Sequence, residues 1–134
     1  MANYYPFARS NYFMVKDEAA FAGFCKKWSV ELIRGGDGGK LFGFLCQEAE
    51  VGIPLSVYDE AKDETVESDF IADLATHLAD GWVAIAREIG YEKLRYLVGY
   101  TIAVNSKGQK RSVDLNEIYR KARKLGEHVT ECEW

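Results

Sequence analysis

Residues 82–126 constrain the fold more than any other stretch of this chain. Residues 82–88 alternate, with Val83, Ile85 and Arg87 on one side and Trp82, Ala84 and Ala86 on the other. That is the period-two pattern of a strand with two different faces. Residues 94–104 form a longer run rich in Tyr, Val, Ile and Leu, the composition of a second strand. Asn105-Ser106-Lys107-Gly108 reads as a tight turn in which Gly108 takes positive φ, so residues 109–113 pair back. Asp114 is then placed to cap a helix, with Glu117 completing a capping box. Leu115, Ile118, Ala122 and Leu125 give that helix a stripe expected to face the core, and Gly126 ends it. A chain that closes this way builds an antiparallel sheet.

The earlier residues supply the rest of that sheet and its helices. Residues 12–16 read as a first strand. Asp17 is a helix N-cap, and Phe21, Phe24, Cys25 and Trp28 recur at helical spacing up to about Ser29. Residues 30–34 and 40–47 read as strands joined through the glycine cluster at 35–39, a hairpin. Alternation at Val51, Ile53, Leu55 and Val57 suggests a short edge strand, which Pro54 confines to an edge or breaks. The acidic residues 59–67 read as an exposed loop. Ser68 or Asp69 caps a second helix with Ile71, Leu74, Ala75 and Leu78 as its apolar stripe, stopped by Asp80-Gly81. The expected order, β-α-β-β-α-β-β-β-α, is that of a single α+β domain over residues 1–134. It implies one antiparallel sheet with helices mostly on one face, a ferredoxin-like split β-α-β order with an added hairpin and C-terminal helix.

A chain of 134 residues, nearly half of them apolar, can bury a core without staples. No run approaches the length of a membrane span. The N-terminus lacks the basic start and apolar stretch of a secretion signal. Cys25, Cys46 and Cys132 are odd in number and at no redox or metal-ligand spacing, so they read as reduced thiols, and the expected compartment is the cytoplasm. A net charge of −4 offers no general attraction to nucleic acid or anionic membrane.

Motifs that carry chemistry are sparse. The GGDGG cluster is followed by a strand rather than a helix and lacks the lysine and hydroxyl of a phosphate loop, so it reads as a turn. His77 and His128 are far apart, and His77 reads as a surface residue beside Asp73 and Asp80 on a helix. No metal or cofactor is expected, and no catalytic residue can be named. Charge is distributed unevenly, however. Asp59, Glu60, Asp63, Glu64 and Glu67 form an acidic segment suited to a protein partner with a basic surface. Lys107, Lys110, Arg111, Arg120, Lys121, Arg123 and Lys124 concentrate positive charge in the last third, the alternative being a nucleic-acid contact there. Tyr4, Tyr5 and Phe7 sit outside any periodic element, either folded over the core edge or presented as an anchor. Tyr96 and Tyr100 read as core-facing strand residues.

Residues 8–17 (ARSNYFMVKD), and residues 92–100 (EKLRYLVGY) with the following NSKG, resemble small acidic proteins of unknown function carried by bacterial plasmids, phages and other mobile elements. The resemblance implies a non-enzymatic accessory role, such as inhibition of a host nucleic-acid-targeting defence complex of the CRISPR-interference kind. It transfers no functional residues. The leading expectation is thus a protein-binding module, with nucleic-acid binding and an enzyme of dispersed catalytic residues as alternatives.

Overall fold

Asp17 sets the start of the first helix. Its carboxylate accepts from the backbone N–H groups of Ala19 (2.9 Å) and Ala20 (3.4 Å). Glu18 in the first turn and Lys26 and Lys27 in the last complement the helix dipole. The resulting helix, α1 (Glu18–Lys27), turns Phe21, Phe24 and Cys25 inward. It closes in a Schellman arrangement: Val30 N–H donates to the Cys25 carbonyl (2.9 Å) and Ser29 N–H to the Lys26 carbonyl (3.3 Å). Ser29 takes the left-handed position, at φ +58°, where glycine is usual.

The computed structural model describes residues 5–46, 52–54, 56–59, 61, 64–67, 69–93 and 96–132, with the backbone alone at 56–59, 64–67 and 96. The remaining elements are β1 (Tyr5–Ser10), β2 (Glu31–Gly35), a single 3-10 turn (Asp37–Gly39), β3 (Leu41–Cys46), β4 (Ser56–Asp59), β5 (Glu64–Glu67), α2 (Phe70–His77), β6 (Val83–Glu92), β7 (Tyr96–Asn105), β8 (Lys110–Asp114) and α3 (Glu117–Ala122). Six strands form one antiparallel sheet in the order β2-β3-β1-β6-β7-β8, and β4 pairs with β5 apart from it. The protein is an α+β structure. Among the described residues no helix is long and apolar enough to cross a membrane.

The core lies between one face of the sheet and the helices α1 and α2. Phe13, Phe21, Phe24, Phe42, Phe44 and Phe70 are buried there, with ring contacts such as Phe24–Phe70 at 5.2 Å and Phe44–Phe70 at 5.4 Å. The central strands answer these rings with small side chains, Ala8 and Ser10 on β1 and Ala84 and Ala86 on β6. Bulky residues on both layers would overfill the space. The helices are tied by Asp73, whose carboxylate accepts from Trp28 Nε1 (2.9 Å) and Lys27 Nζ (3.1 Å). Desolvation raises the Asp73 pKa, but those two hydrogen bonds and the charges of Lys27 and His77 outweigh it, and the net shift is downward. His77 is not a plain surface residue. Its ring packs 5.1 Å from that of Phe24, and its Nε2 lies 3.5 Å from Asp73.

Several sequence expectations are corrected. The first strand is Tyr5–Ser10, not 12–16, where Phe13 and Val15 make only isolated bridges to Phe42 and Leu78. Tyr5 and Phe7 therefore belong to a strand, while Tyr4 lies outside the described residues. The acidic segment contains a hairpin rather than a plain loop: Val57 opposes Val66 and Tyr58 opposes Thr65, residue types that favour strands despite their acidic neighbours. The strand expected from residue 51 begins only at Ser56, and Val51 and Leu55 lie outside the described residues. Asp114 ends β8 instead of capping a helix; Asn116 occupies the N-cap of α3 without a side-chain capping bond, and α3 stops at Ala122, short of Gly126.

The stripe of that last helix is not core. Leu115, Ile118 and Leu125 are exposed, Leu125 at 92%. The reason is topological. Helix α3 follows the edge strand β8, and α1 and α2 already cover the inner face. The segment after it, described to Cys132, forms no strand, and Cys132 N–H donates to the Tyr119 hydroxyl (2.8 Å).

Candidate interaction face

Strand alternation decides what the far side of the sheet presents. On β1 the inward residues are Pro6, Ala8 and Ser10, so Tyr5, Phe7 and Arg9 point away from the helices. The pairing of β1 with β6 sets Tyr5 opposite Tyr91, Phe7 opposite Ile89 and Arg9 opposite Arg87. On the next strand Leu97 stands opposite Tyr91, Gly99 opposite Ile89 and Thr101 opposite Arg87. On the far edge Val113 pairs with Thr101 and Arg111 with Ala103. Directly opposed residues share a face, so these side chains form one surface. Among the described residues no helix or strand covers it.

This face is apolar and wet. Phe7 is 61% exposed, Ile89 57% and Leu97 56%, with Tyr5, Tyr91, Val113 and Leu115 also exposed. Tyr5 and Tyr91 lean on each other with ring centroids 5.5 Å apart. A hollow of about 640 Å³ opens on the surface between Tyr5, Phe7, Arg9, Leu45, Arg87 and Ile89. Gly99 lets the strip continue to the edge. A Cβ there would come within 2.9 Å of the Leu115 side chain, and Leu115 N–H donates to the Gly99 carbonyl (2.9 Å). Leu115 is thereby seated on the open face while α3 continues into solvent.

Charge on the face has one dominant sign. Arg9, Arg87 and Arg111 lie on it, and Glu31, at the β2 edge, is the acidic residue among its described strand positions. Arg9 donates through Nε to the Ser10 carbonyl (3.0 Å), and its guanidinium lies 5.7 Å from the Tyr12 ring centroid. Neither Arg9 nor Arg87 has an ion-pair partner among the described residues. A chain of net charge −4 thus gathers three arginines on a sheet face that no described helix or strand covers.

The sequence-derived candidates are placed differently. Asp59 and Glu64 stand opposite each other at the end of the β4–β5 pair, and Glu67 opposes Ser56. Their side chains, and the whole of Glu60 and Asp63, lie outside the described residues. The seven basic candidates do not converge on one surface. Lys110 and Arg111 are consecutive on β8 and point to opposite faces, Lys110 toward Ala72 and Thr76 of α2. Lys107 belongs to the turn, where Gly108 adopts φ +81°, and Arg120, Lys121, Arg123 and Lys124 are exposed on or just after α3.

The buried thiols are poor nucleophiles. Burial raises Cys25 to about 11. Burial, with the nearby Glu88 carboxylate and Cys25, raises Cys46 to about 12. Both remain protonated at neutral pH. Glu88 itself, on the covered face, accepts from Ile53 N–H (2.6 Å) and fastens the 52–54 segment to the sheet. Sequence reasoning missed the open face because it left Tyr5 and Phe7 outside any strand; the signal that could have found it was the alternation of Tyr5, Phe7 and Arg9 with Pro6, Ala8 and Ser10. No protein-family model matches the chain, and no curated protein or solved structure matches it significantly.

Proposed function

We propose that the protein is a non-enzymatic binding module that engages a partner protein through the open face of its sheet. One observation carries this reading: a continuous strip from Tyr5 and Phe7 through Ile89 and Leu97 to Leu115 is exposed on the face of the sheet opposite the helices and the core. Large contiguous apolar patches on a folded surface mark interaction sites, and aromatic residues with arginine are the types enriched at protein interfaces.

The same aromatics and arginines offer a second reading, stacking of single-stranded nucleic acid. The aliphatic majority of the strip and the net charge of −4 favour protein. The acidic residues Asp59, Glu60, Asp63, Glu64 and Glu67 belong to the proposal as a separate, salt-sensitive contact with basic groups of the partner. The narrower choice of partner, a host nucleic-acid-targeting defence complex, rests on the resemblance to mobile-element proteins alone. A ferredoxin-like relationship is part of the same proposal. The order β6-β1-β3-β2 with two crossing helices supports it, and the β4–β5 hairpin and β7–β8 are additions to that plan. Three free cysteines, two of them buried, favour a reducing compartment such as the cytoplasm.

The test is a capture from the producing cells, with nuclease added, using three versions of the chain: wild type, Phe7→Ala with Ile89→Ala, and charge reversal of the five acidic residues. A stoichiometric protein lost from the Phe7/Ile89 variant supports the open face. A protein retained by that variant and lost from the charge reversal moves the contact to the hairpin. Binding that disappears with nuclease moves the function to nucleic acid.

A further inference from the structure

We propose that Arg9 and Arg87 form a paired guanidinium site that receives a carboxylate from an apolar segment of the partner protein. The inference rests on the open-face reading and names the chemistry of what docks there. The two arginines are directly opposed across β1 and β6 and both are exposed on the outer face. Like charges in that position destabilise a strand pair, and no carboxylate among the described residues lies within ion-pair distance of either. Among the described residues, the sheet therefore holds a repulsive pair that no carboxylate compensates.

The surroundings specify the missing group. Phe7, Leu45 and Ile89 border the same hollow, so a ligand seated there displaces water from around both guanidinium groups. A carboxylate has two oxygens and accepts from two donors at once, and such charge-assisted bonds strengthen where water is excluded. The apolar lining demands hydrophobic neighbours on the incoming chain. A polyanion is disfavoured, because the remainder of the protein is net acidic and repels extended negative charge. A second copy of this chain is disfavoured on the same chemistry: the unpacked stripe nearest to hand, Leu115, Ile118 and Leu125, is flanked by Arg120, Lys121, Arg123 and Lys124. The occupant that satisfies both requirements is a protein segment with an Asp, a Glu or a terminal carboxylate set among apolar side chains.

The test selects binders from a random-peptide display library on the full-length chain, then measures them against Arg9→Gln/Arg87→Gln and against Phe7→Ala/Ile89→Ala, each checked for an unchanged circular dichroism spectrum. The expected result is an enriched set with an acidic residue among apolar ones, weakened at least about tenfold by the double arginine variant and also by Phe7→Ala/Ile89→Ala. Enriched peptides that lack an acid, or that bind the arginine variant unchanged while still needing Phe7 and Ile89, overturn the carboxylate site and leave the open-face reading standing. Peptides insensitive to both variants, or no enrichment at all, overturn both. Arginine-dependent binding of an oligothymidylate, or arginine-dependent self-association in sedimentation, also overturns the proposal by naming a different occupant.

Discussion

The two faces of the six-stranded sheet use the same strands and hydrogen-bond ladder and arrive at opposite chemistry. The covered face carries small residues at its centre, Ala8, Ser10, Ala84 and Ala86, because six phenylalanine rings come to meet it from β3, α1, α2 and the 12–16 segment. The open face carries the larger residues of the same strands, Tyr5, Phe7, Ile89 and Tyr91, with nothing described above them. Side-chain size therefore runs against the usual expectation that the bulkiest apolar residues of a strand point inward. What decides burial here is the supply of a second layer, since both helices long enough to form one lie on the same side.

The sharpest way to break that comparison is to truncate one phenylalanine on each face. Phe44 is fully buried among the core rings, and Phe44→Ala is expected to cost about 3–5 kcal/mol. Phe7→Ala, on the open face of the neighbouring strand, is expected to change stability by no more than about 0.5 kcal/mol. Urea unfolding of the two variants measures both. A loss of several kcal/mol for Phe7→Ala would mean that something in the folded chain covers it, and the open face would cease to be one.

Ser10 sharpens the contrast on the covered side. Its hydroxyl donates to the Asn11 carbonyl (2.7 Å) and accepts from Phe44 N–H (2.8 Å), bridging β1 and β3 where the regular ladder stops. Ser10→Ala leaves a buried N–H without its partner, at a cost of about 1–3 kcal/mol. Hydrogen exchange at Phe44 should quicken relative to β6 and β7, and an unchanged rate there would show that the hydroxyl is dispensable.

The layer above the covered face has its own polar tie, and it predicts a pH dependence. The pKa of Asp73 is lowered in the folded state, so the unfolded chain takes up the proton first. The stabilisation is complete above the ordinary carboxylate range near pH 4 and is lost as pH falls through the folded value. Asp73→Asn is expected to be less stable by about 1–2 kcal/mol at neutral pH, having lost the charge on the hydrogen bonds to Trp28 and Lys27. The gap between the two proteins should narrow as the solution is acidified below pH 4. A constant gap would assign the acid sensitivity to another group.

Most of the covered side was legible in the sequence, because its signals are local. Asp17 as a cap, the spacing of Phe21, Phe24 and Cys25, the stripe through Ile71, Leu74 and Ala75, and the turn at Asn105 to Gly108 each declare themselves within a few residues. The open side was not legible, for two reasons. Pro6 and the inverted alternation of size hid β1, since a proline demotes a run as a strand and the described pairing of β1 with β3 involves only Ala8 and Arg9. Arg9 and Arg87 are far apart in the chain and become neighbours only through strand register. The stripe of α3 was read correctly as amphipathic and wrongly as core, since periodicity shows that a helix has an apolar face and says nothing about whether a layer exists to receive it.

The smallest expected effect concerns the charge at the centre of the open face. If Arg9 and Arg87 serve a ligand, Arg87→Gln removes a cross-strand repulsion that no ion pair among the described residues offsets. Stability should hold or rise by about 0.2–1 kcal/mol, the range of a cross-strand charge effect. Because both groups are exposed, the gain should shrink as salt is added and the Debye length falls to about 10 Å at 0.1 M and below that at higher concentrations. Urea midpoints for wild type and variant at low and high salt measure this directly. A gain that fades with salt places the arginine on a surface that tolerates it at some cost to folding. A loss greater than about 1 kcal/mol would show that the Arg87 stem is packed into the fold, and the two faces of the sheet would then differ less than their exposure suggests.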